Sequence, residues 1–389
     1  MKTFIYFILF SCLSIFTFNS CQEDDQLGKA DNSPKFNLDL FEQNIIDYIN
    51  WNNDQPIAWA YTINMDGWLE RSDAFGDARQ VADGQLDFTL NKEINIASVS
   101  KFYTAVAALK LLDANNLTID SKIAPWLPND WVQGPGVDEL EFKDLLGHRS
   151  GLNSINSNFD STLSYSGLES CISDGVLLIT NYRYLNVNFA LFRVLIPSLW
   201  SAVQGSPQTI DITSSANCQI MFLWYMQQEL FSPIGLTYIN CSPEDRQEAT
   251  LYYNVNDNNQ TSGTYYTSWS HRSGGGGYFM TTMEMARFNA YYEHTETILS
   301  KELRDIMKDN RFGMDRSSNL ETHGSYYAKN GSISNSGNGQ GVISYIAMFP
   351  INGVDIVINM NTQGVTFNDP SANNFIGTAM YRAYNDAWE

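Results

Sequence analysis

Asn95-Ile96-Ala97-Ser98-Val99-Ser100-Lys101-Phe102-Tyr103-Thr104-Ala105 places a serine and a lysine three residues apart where an extended run turns into a helix. Only Ser98, among the serines of the chain, has a lysine at that spacing. Beyond it Phe102, Val106 and Leu109 recur at helical intervals with Ala105, Ala107 and Ala108 between them, which predicts a helix. Residues i and i+3 share a helix face. The Ser98 hydroxyl is therefore expected in the first turn, among free N–H groups at the positive dipole end, with the Lys101 amine one turn below. That is a nucleophile beside a base. A capping serine followed by a solvated lysine is spelled the same way, so the pair gains meaning only from two segments downstream.

The chain around it has 389 residues, 43% of them hydrophobic, enough for one large domain or two closely packed ones. A formal charge of −20 and the lack of any basic run exclude nucleic acid and anionic lipid headgroups as partners. There is no Gly-x-Gly-x-x-Gly, and the cluster Gly274 to Gly277 lacks the Lys-Ser/Thr of a phosphate loop. The histidines, His148, His271, His294 and His323, are scattered without ligand spacing, so neither metal nor cofactor is expected.

Residues 1–20 carry one lysine and then the apolar run Phe4 to Phe18, too short for a spanning helix, and read as a secretory signal. Phe18-Asn19-Ser20-Cys21 resembles the lipobox of bacterial lipoproteins, with Phe18 in place of the usual leucine, which implies that Cys21 is lipidated. Gln22-Glu23-Asp24-Asp25 resembles a surface-sorting tag and reads equally as a solvated linker. The expectation is an exported protein anchored to the outer membrane at the periplasmic face or the cell surface, touching the bilayer only through its lipid. Residues 21–36 form the tether. Cys171, Cys218 and Cys241 remain, and an exported chain permits one disulfide among them.

Phe36 to Tyr48 fits an amphipathic helix, and Ile57 to Asn64 with Trp68 to Phe75 alternate around Asp66-Gly67, a hairpin signal. Leu140 to Leu146 is a short helix stopping at Gly147, and His148, just past it, reads as structural because no Gly-x-Ser-x-Gly elbow exists. The second segment is Tyr182-Arg183-Tyr184-Leu185-Asn186, ahead of an apolar helix from Ala190 to Ile196. On an extended or looping backbone Tyr184 and Asn186, two apart, face one pocket. Tyr265, Tyr266 and Trp269 are candidates for a pocket rim, and Gly274 to Gly277 allow close approach of backbone or ligand. The third segment, Lys329-Asn330-Gly331-Ser332, opens a hairpin with strands Gly341 to Phe349 and Val354 to Asn361 and Asn352-Gly353 at its turn.

With Ser98-x-x-Lys101, Tyr184-x-Asn186 and Lys329-x-Gly331 in that order, the chain resembles the penicillin-recognising serine hydrolases. This group holds class C β-lactamases, D-alanyl-D-alanine carboxypeptidases and related esterases. Leu145 to Leu152 is similar to that family's Leu-Leu-x-His-x-Ser-Gly-Leu, and Phe231 to Leu236 to its Pro-Leu-Gly-Met. The resemblance covers roughly residues 40 to 389. It implies an α/β (α+β) fold in which an antiparallel sheet is flanked by helices, with residues 37–100 and 270–389 forming the sheet lobe and 101–269 an inserted, mostly helical lobe.

The resemblance also implies the chemistry. Lys101, its pKa brought down from about 10.4 by burial and a second cation, or Tyr184, depressed by Lys329, takes the Ser98 proton. The choice between them stays open. Asn186 would bond Lys101 and the substrate amide, Lys329 would attract a substrate carboxylate, and the N–H groups of Ser98 and Ser332 would form an oxyanion hole worth roughly 3 kcal/mol per donor. Gly331 completes the motif. Three departures point to a specialised substrate: Asn330 replaces the usual Thr or Ser, Arg149 is unusual in its motif, and Arg193 stands where a glycine commonly follows. The expectation is a monomeric hydrolase acting through an acyl-enzyme on Ser98 on a small peptide, amide or ester. The alternative is a catalytically weak module that recognises cell-wall peptides.

Overall fold

Alternation in the two longest strand pairs sets the architecture. In β1 (Ala58–Met65) the side chains of Trp59, Tyr61 and Ile63 fall on one face and those of Ala58, Ala60, Thr62 and Asn64 on the other, and both sets are buried. A strand buried on both faces needs a layer on each side. The computed structural model describes residues 34–51, 54–152, 163–176, 181–203, 211–315, 322–368 and 374–389, and contacts gather Phe36–Glu389 into one unit. The expected signal, Cys21 and most of the tether lie outside the described residues.

The strands are β1, β2 (Trp68–Arg79), β3 (Leu86–Asp87), β4 (Ile94–Asn95), β5 (Tyr253–Asn254), β6 (Phe279–Met280), β7 (Tyr327–Ser334), β8 (Gly341–Phe349), β9 (Val354–Met360) and β10 (Thr362–Gln363). The main sheet runs β10-β5-β8-β9-β1-β2-β3, with β7 paired to β8. All its pairings are antiparallel except β10 with β5. The Asp66-Gly67 turn joins β1 to β2 with φ of 51° and 81°, the doubly left-handed geometry that favours these residues. Strands β4 and β6 form a small separate ladder.

The helices are α1 (Leu38–Ile49), α2 (Ser100–Ala114), α3 (Phe142–Leu146), α4 (Tyr165–Asp174), α5 (Asn186–Ala190), α6 (Phe192–Ala202), α7 (Ser215–Met226), α8 (Thr282–His294), α9 (Lys301–Asn310) and α10 (Ile376–Asn385). Against the Trp59 face pack α1 and α10, with Phe41, Ile45, Tyr345, Ile356 and Tyr384 in the core. The two ends of the unit Phe36–Glu389 meet there. Phe36 bridges Trp388, and the Asn37 N–H bonds the Ala387 carbonyl at 2.8 Å. The other face belongs to the larger core, in which Ala60, Ile346 and Val357 join Phe102, Phe288 and the helices beyond. Helix α2 is apolar nearly all round, as a helix buried on every side must be.

The central, mostly antiparallel sheet with flanking helices is the fold class the family resemblance implied, and β5, from the stretch expected to be mostly helical, joins that sheet. Cys171, Cys218 and Cys241 are all buried, and the permitted disulfide is not formed among them. No helix among the described residues is long and apolar enough to cross a membrane.

Candidate active site

Ser98 sits not in α2 itself but in a tight turn, Ala97–Val99, that feeds it. Ala97 is held at φ 48°, a left-handed conformation that costs energy in a residue with a Cβ. The Asn95 side-chain oxygen accepts the Ala97 N–H at 2.8 Å and fixes that turn. Strand β7 runs so close that a Cβ on Gly331 would lie 2.4 Å from the Ile96 carbonyl oxygen and 3.1 Å from the Ser98 nitrogen, so no other residue fits there.

Lys101 is completely buried, and its ammonium donates to Ser98 Oγ at 3.1 Å and to the carbonyl of Gly275. The glycine cluster makes that carbonyl available. A Cβ on Gly274 would meet the Phe189 carbonyl oxygen at 2.5 Å and one on Gly275 the Asn186 oxygen at 3.2 Å. Bare backbone is thus what lets the segment slot beside α5. Burial holds the Lys101 pKa below its ordinary value; Tyr184 opposes this and the Lys329 charge adds to it.

Tyr184 is 39% exposed, and its hydroxyl is turned to Ser98 Oγ, to which it donates at 2.9 Å. Lys101 Nζ and Lys329 Nζ lie 5.1 and 5.2 Å from the centre of its ring. Burial works against ionising the phenol, but the two ammonium groups outweigh it and bring the pKa down to about 8. The loop carrying Tyr184 is bracketed by His148, which is buried at φ 55°. The imidazole lies 4.5 Å from the Tyr184 ring, its Nδ1 accepts the Leu185 N–H at 3.3 Å, and its carbonyl accepts the Arg183 N–H at 2.8 Å. Ser150 Oγ bonds Asn188 Oδ1 at 2.6 Å, and Asn188 Nδ2 lies 3.3 Å from His148 Nδ1. His148 therefore holds the loop in place.

Lys329, on β7 and 3% exposed, forms an ion pair with the Asp315 carboxylate. Asp315 is anchored in turn: its Oδ2 accepts the Asn330 N–H at 2.6 Å, and its own N–H bonds the Ala328 carbonyl at 2.8 Å. Burial opposes the charge on Lys329, yet Asp315 and Tyr184 outweigh it and raise the pKa above that of an ordinary lysine. The side-chain oxygen of Asn330 is buried without a partner among the described residues.

The structure thus brings Ser98, Lys101, Tyr184, Lys329 and Gly331 together. Asn186 is a correction. It begins α5 rather than lying with Tyr184 on extended or looping backbone, and its side chain bonds neither Lys101 nor any other described residue; the Gly275 carbonyl takes that place. Ser332 is exposed, its hydroxyl accepting from Gln363 Nε2 at 2.8 Å, on a strand whose outer edge is unpaired and so points alternate N–H groups away from the sheet. Tyr266 and Trp269 are buried in the core and form no rim. Arg149 is exposed and lines a separate cleft of about 430 Å³ with Gly147, Tyr182 and Arg311, to which none of Ser98, Lys101, Tyr184 and Lys329 contributes. Arg193 is buried and donates to the carbonyls of His271 and Leu163. Burial brings its pKa down to about 10. Among the described residues no cluster of His, Cys, Asp or Glu could hold a metal ion.

Sequence reasoning missed Asp315 and the Gly275 carbonyl. The first meets Lys329 across 14 residues with no periodic relation, and the second is a backbone atom.

A family model described as beta-lactamase matches residues 75–379. The fold is similar to a beta-lactamase/D-alanine carboxypeptidase from Yersinia pestis, at 15% identity and a TM-score of 0.63, over 90% of this chain and 97% of that one. It is similar as well to a D-amino acid amidase from Ochrobactrum anthropi, at 16% identity and a TM-score of 0.62, over 90% of this chain and 98% of that one. An octameric penicillin-binding protein homologue from Pyrococcus abyssi matches at 17% identity and a TM-score of 0.63, over 83% and 73%.

Proposed function

The chain belongs to the beta-lactamase family of serine hydrolases, and from that premise we propose that it cleaves a small amide, peptide or ester through an acyl-enzyme on Ser98. One observation carries this reading: Ser98 Oγ lies within hydrogen-bond reach of both a buried lysine amine and a tyrosine hydroxyl. Both partners are shifted towards their uncharged amine and ionised phenol forms respectively, as a base for serine requires.

In this mechanism the deprotonated member of the Lys101–Tyr184 pair takes the Ser98 proton as Oγ attacks the carbonyl carbon. The oxyanion is held by the N–H groups of Ser98 and Ser332, each worth roughly 3 kcal/mol. The proton passes through Tyr184 to the leaving group. Water, deprotonated by the same pair, then releases the acid and restores Ser98. Lys329 keeps the phenol acidic, and Gly331 lets β7 close against the serine turn. Substrate subtype, export, acylation of Cys21, anchoring to the outer membrane and a monomeric state belong to the same proposal; the octameric neighbour makes gel filtration the measurement for the last.

Labelling with a fluorescent fluorophosphonate and a fluorescent penicillin tests it. Label that depends on Ser98, is lost in Ser98→Ala and decays with time is expected. Silence with both reagents refutes the acylation chemistry, and a permanent adduct favours the recognition module. Equal detergent partitioning of full-length wild type and Cys21→Ser would refute the lipid anchor.

A further inference from the structure

Lys329 is the cation beside the Tyr184 ring, but its charge is already answered. It is 3% exposed, and its ammonium is paired with Asp315, whose other oxygen is tied to the Asn330 N–H at 2.6 Å. The pair is therefore fixed to the strand that carries the lysine. Neither of the two titratable groups hydrogen-bonded to Ser98 adds a fixed positive charge, and Arg311 lies on the other side of the pair, in a small cavity with Asp315, Tyr326 and Phe375. Lys101 is buried with its pKa lowered, Tyr184 is a phenol whose ionisation adds negative charge, and the molecule as a whole carries −20. A carboxylate arriving beside Lys329 would meet the Asp315 carboxylate within the same ion pair and gain little Coulomb energy for the water it sheds.

From this we infer that Asp315 is a specificity-determining residue that occupies, from within the chain, the place of a substrate carboxylate. The preferred acyl donors then carry no free carboxylate on the leaving side of the scissile bond: uncharged esters and amides, or ones bearing an amine. This deepens the reading of Ser98 as an acylated nucleophile and rests on it. It also reverses the sequence-based expectation that Lys329 attracts an anionic substrate. Asp315 acts through Lys329 and not on the reacting atoms, so it is a positioning residue, and its signature is discrimination rather than rate alone.

The test compares one acylated depsipeptide as the free acid and as its methyl ester, on the purified protein and on Asp315→Asn and Asp315→Glu. The wild type is expected to favour the methyl ester by about tenfold or more in kcat/KM. Asp315→Asn, which can still accept the Asn330 N–H, should shrink that ratio about tenfold, chiefly by lowering KM for the acid. Asp315→Glu should keep the wild-type preference. A wild type that favours the acid, or a ratio unchanged in Asp315→Asn, overturns the inference. A neutral fluorophosphonate separates the two levels. Labelled Ser98 with an unchanged ratio defeats this inference alone, and an unlabelled wild type defeats it together with the reading it rests on.

Discussion

The phenol of Tyr184 lies between two ammonium groups and the serine it serves, and that placement makes its protonation the most readable feature of the site. With a pKa brought down to about 8, the phenolate fraction grows as pH rises through that value. For a neutral ester, kcat/KM is therefore expected to climb between pH 7 and 9 and then level. Tyr184→Phe should lower kcat/KM by about 10²- to 10⁴-fold and flatten that limb; a limb that survives in the variant belongs to Lys101. His148→Ala tests a subtler role. Removing the ring that packs, tilted, against Tyr184 should lower kcat about tenfold, while fluorophosphonate labelling of Ser98 persists. Ser98, Lys101, Tyr184 and Lys329 were legible because each chemistry is tied to a short local spacing. Asp315 was not, since its link to Lys329 exists only after β7 folds back beside the residue, and Asn186 begins α5 where the extended or looping backbone expected for it has already ended at Leu185.

Among the elements, the segment 274–277 and helix α8 show how backbone and burial support the site. A methyl group on Gly274, already at φ 93°, would lie 2.5 Å from the Phe189 carbonyl oxygen. Gly274→Ala should therefore lower the melting temperature and displace the Gly275 carbonyl from Lys101, with kcat/KM falling even in the folded fraction. Beneath α8, Asp355 on β9 is buried, with one oxygen accepting from Asn64 Nδ2 at 3.0 Å and the other without a hydrogen-bond partner among the described residues. Burial first, and then the charge of Glu293, raises its pKa to about 8. An unfolded aspartate titrates near 3.9, so between roughly pH 4 and 8 the folded chain keeps a proton that the unfolded chain has lost. Stability from this group is full at the acid end, falls as pH rises through that window and is constant above it. The melting temperature of Asp355→Asn relative to wild type should accordingly rise from pH 5 to pH 8 and then hold steady in a thermal-shift series. The hairpins were legible at this scale, because Asp66-Gly67 and Asn352-Gly353 mark their turns; β5 was not, because two residues are too few for an alternating pattern.

Across the whole molecule the sheet separates two cores, and only one of them touches the serine turn. Phe41 on α1 is fully buried in the other, with its ring centre 5.6 Å from that of Tyr384 and 6.2 Å from that of Phe349. Phe41→Ala should cost about 3–5 kcal/mol in urea titration and leave kcat/KM of the folded fraction unchanged. The antiparallel sheet was foreshadowed by hairpin signals gathered before residue 100 and after residue 325. What the sequence could not give was how the first and last helices seal one face, since such partners are set by packing across more than 300 residues. The Phe36–Trp388 bridge carries this further. A ring-closed protein, with Glu389 spliced to Phe36 through a few glycines and new termini cut at an exposed turn, would keep the packing described within Phe36–Glu389. Such a permutant should refold to an active hydrolase, and the direction of synthesis would then be incidental to the architecture.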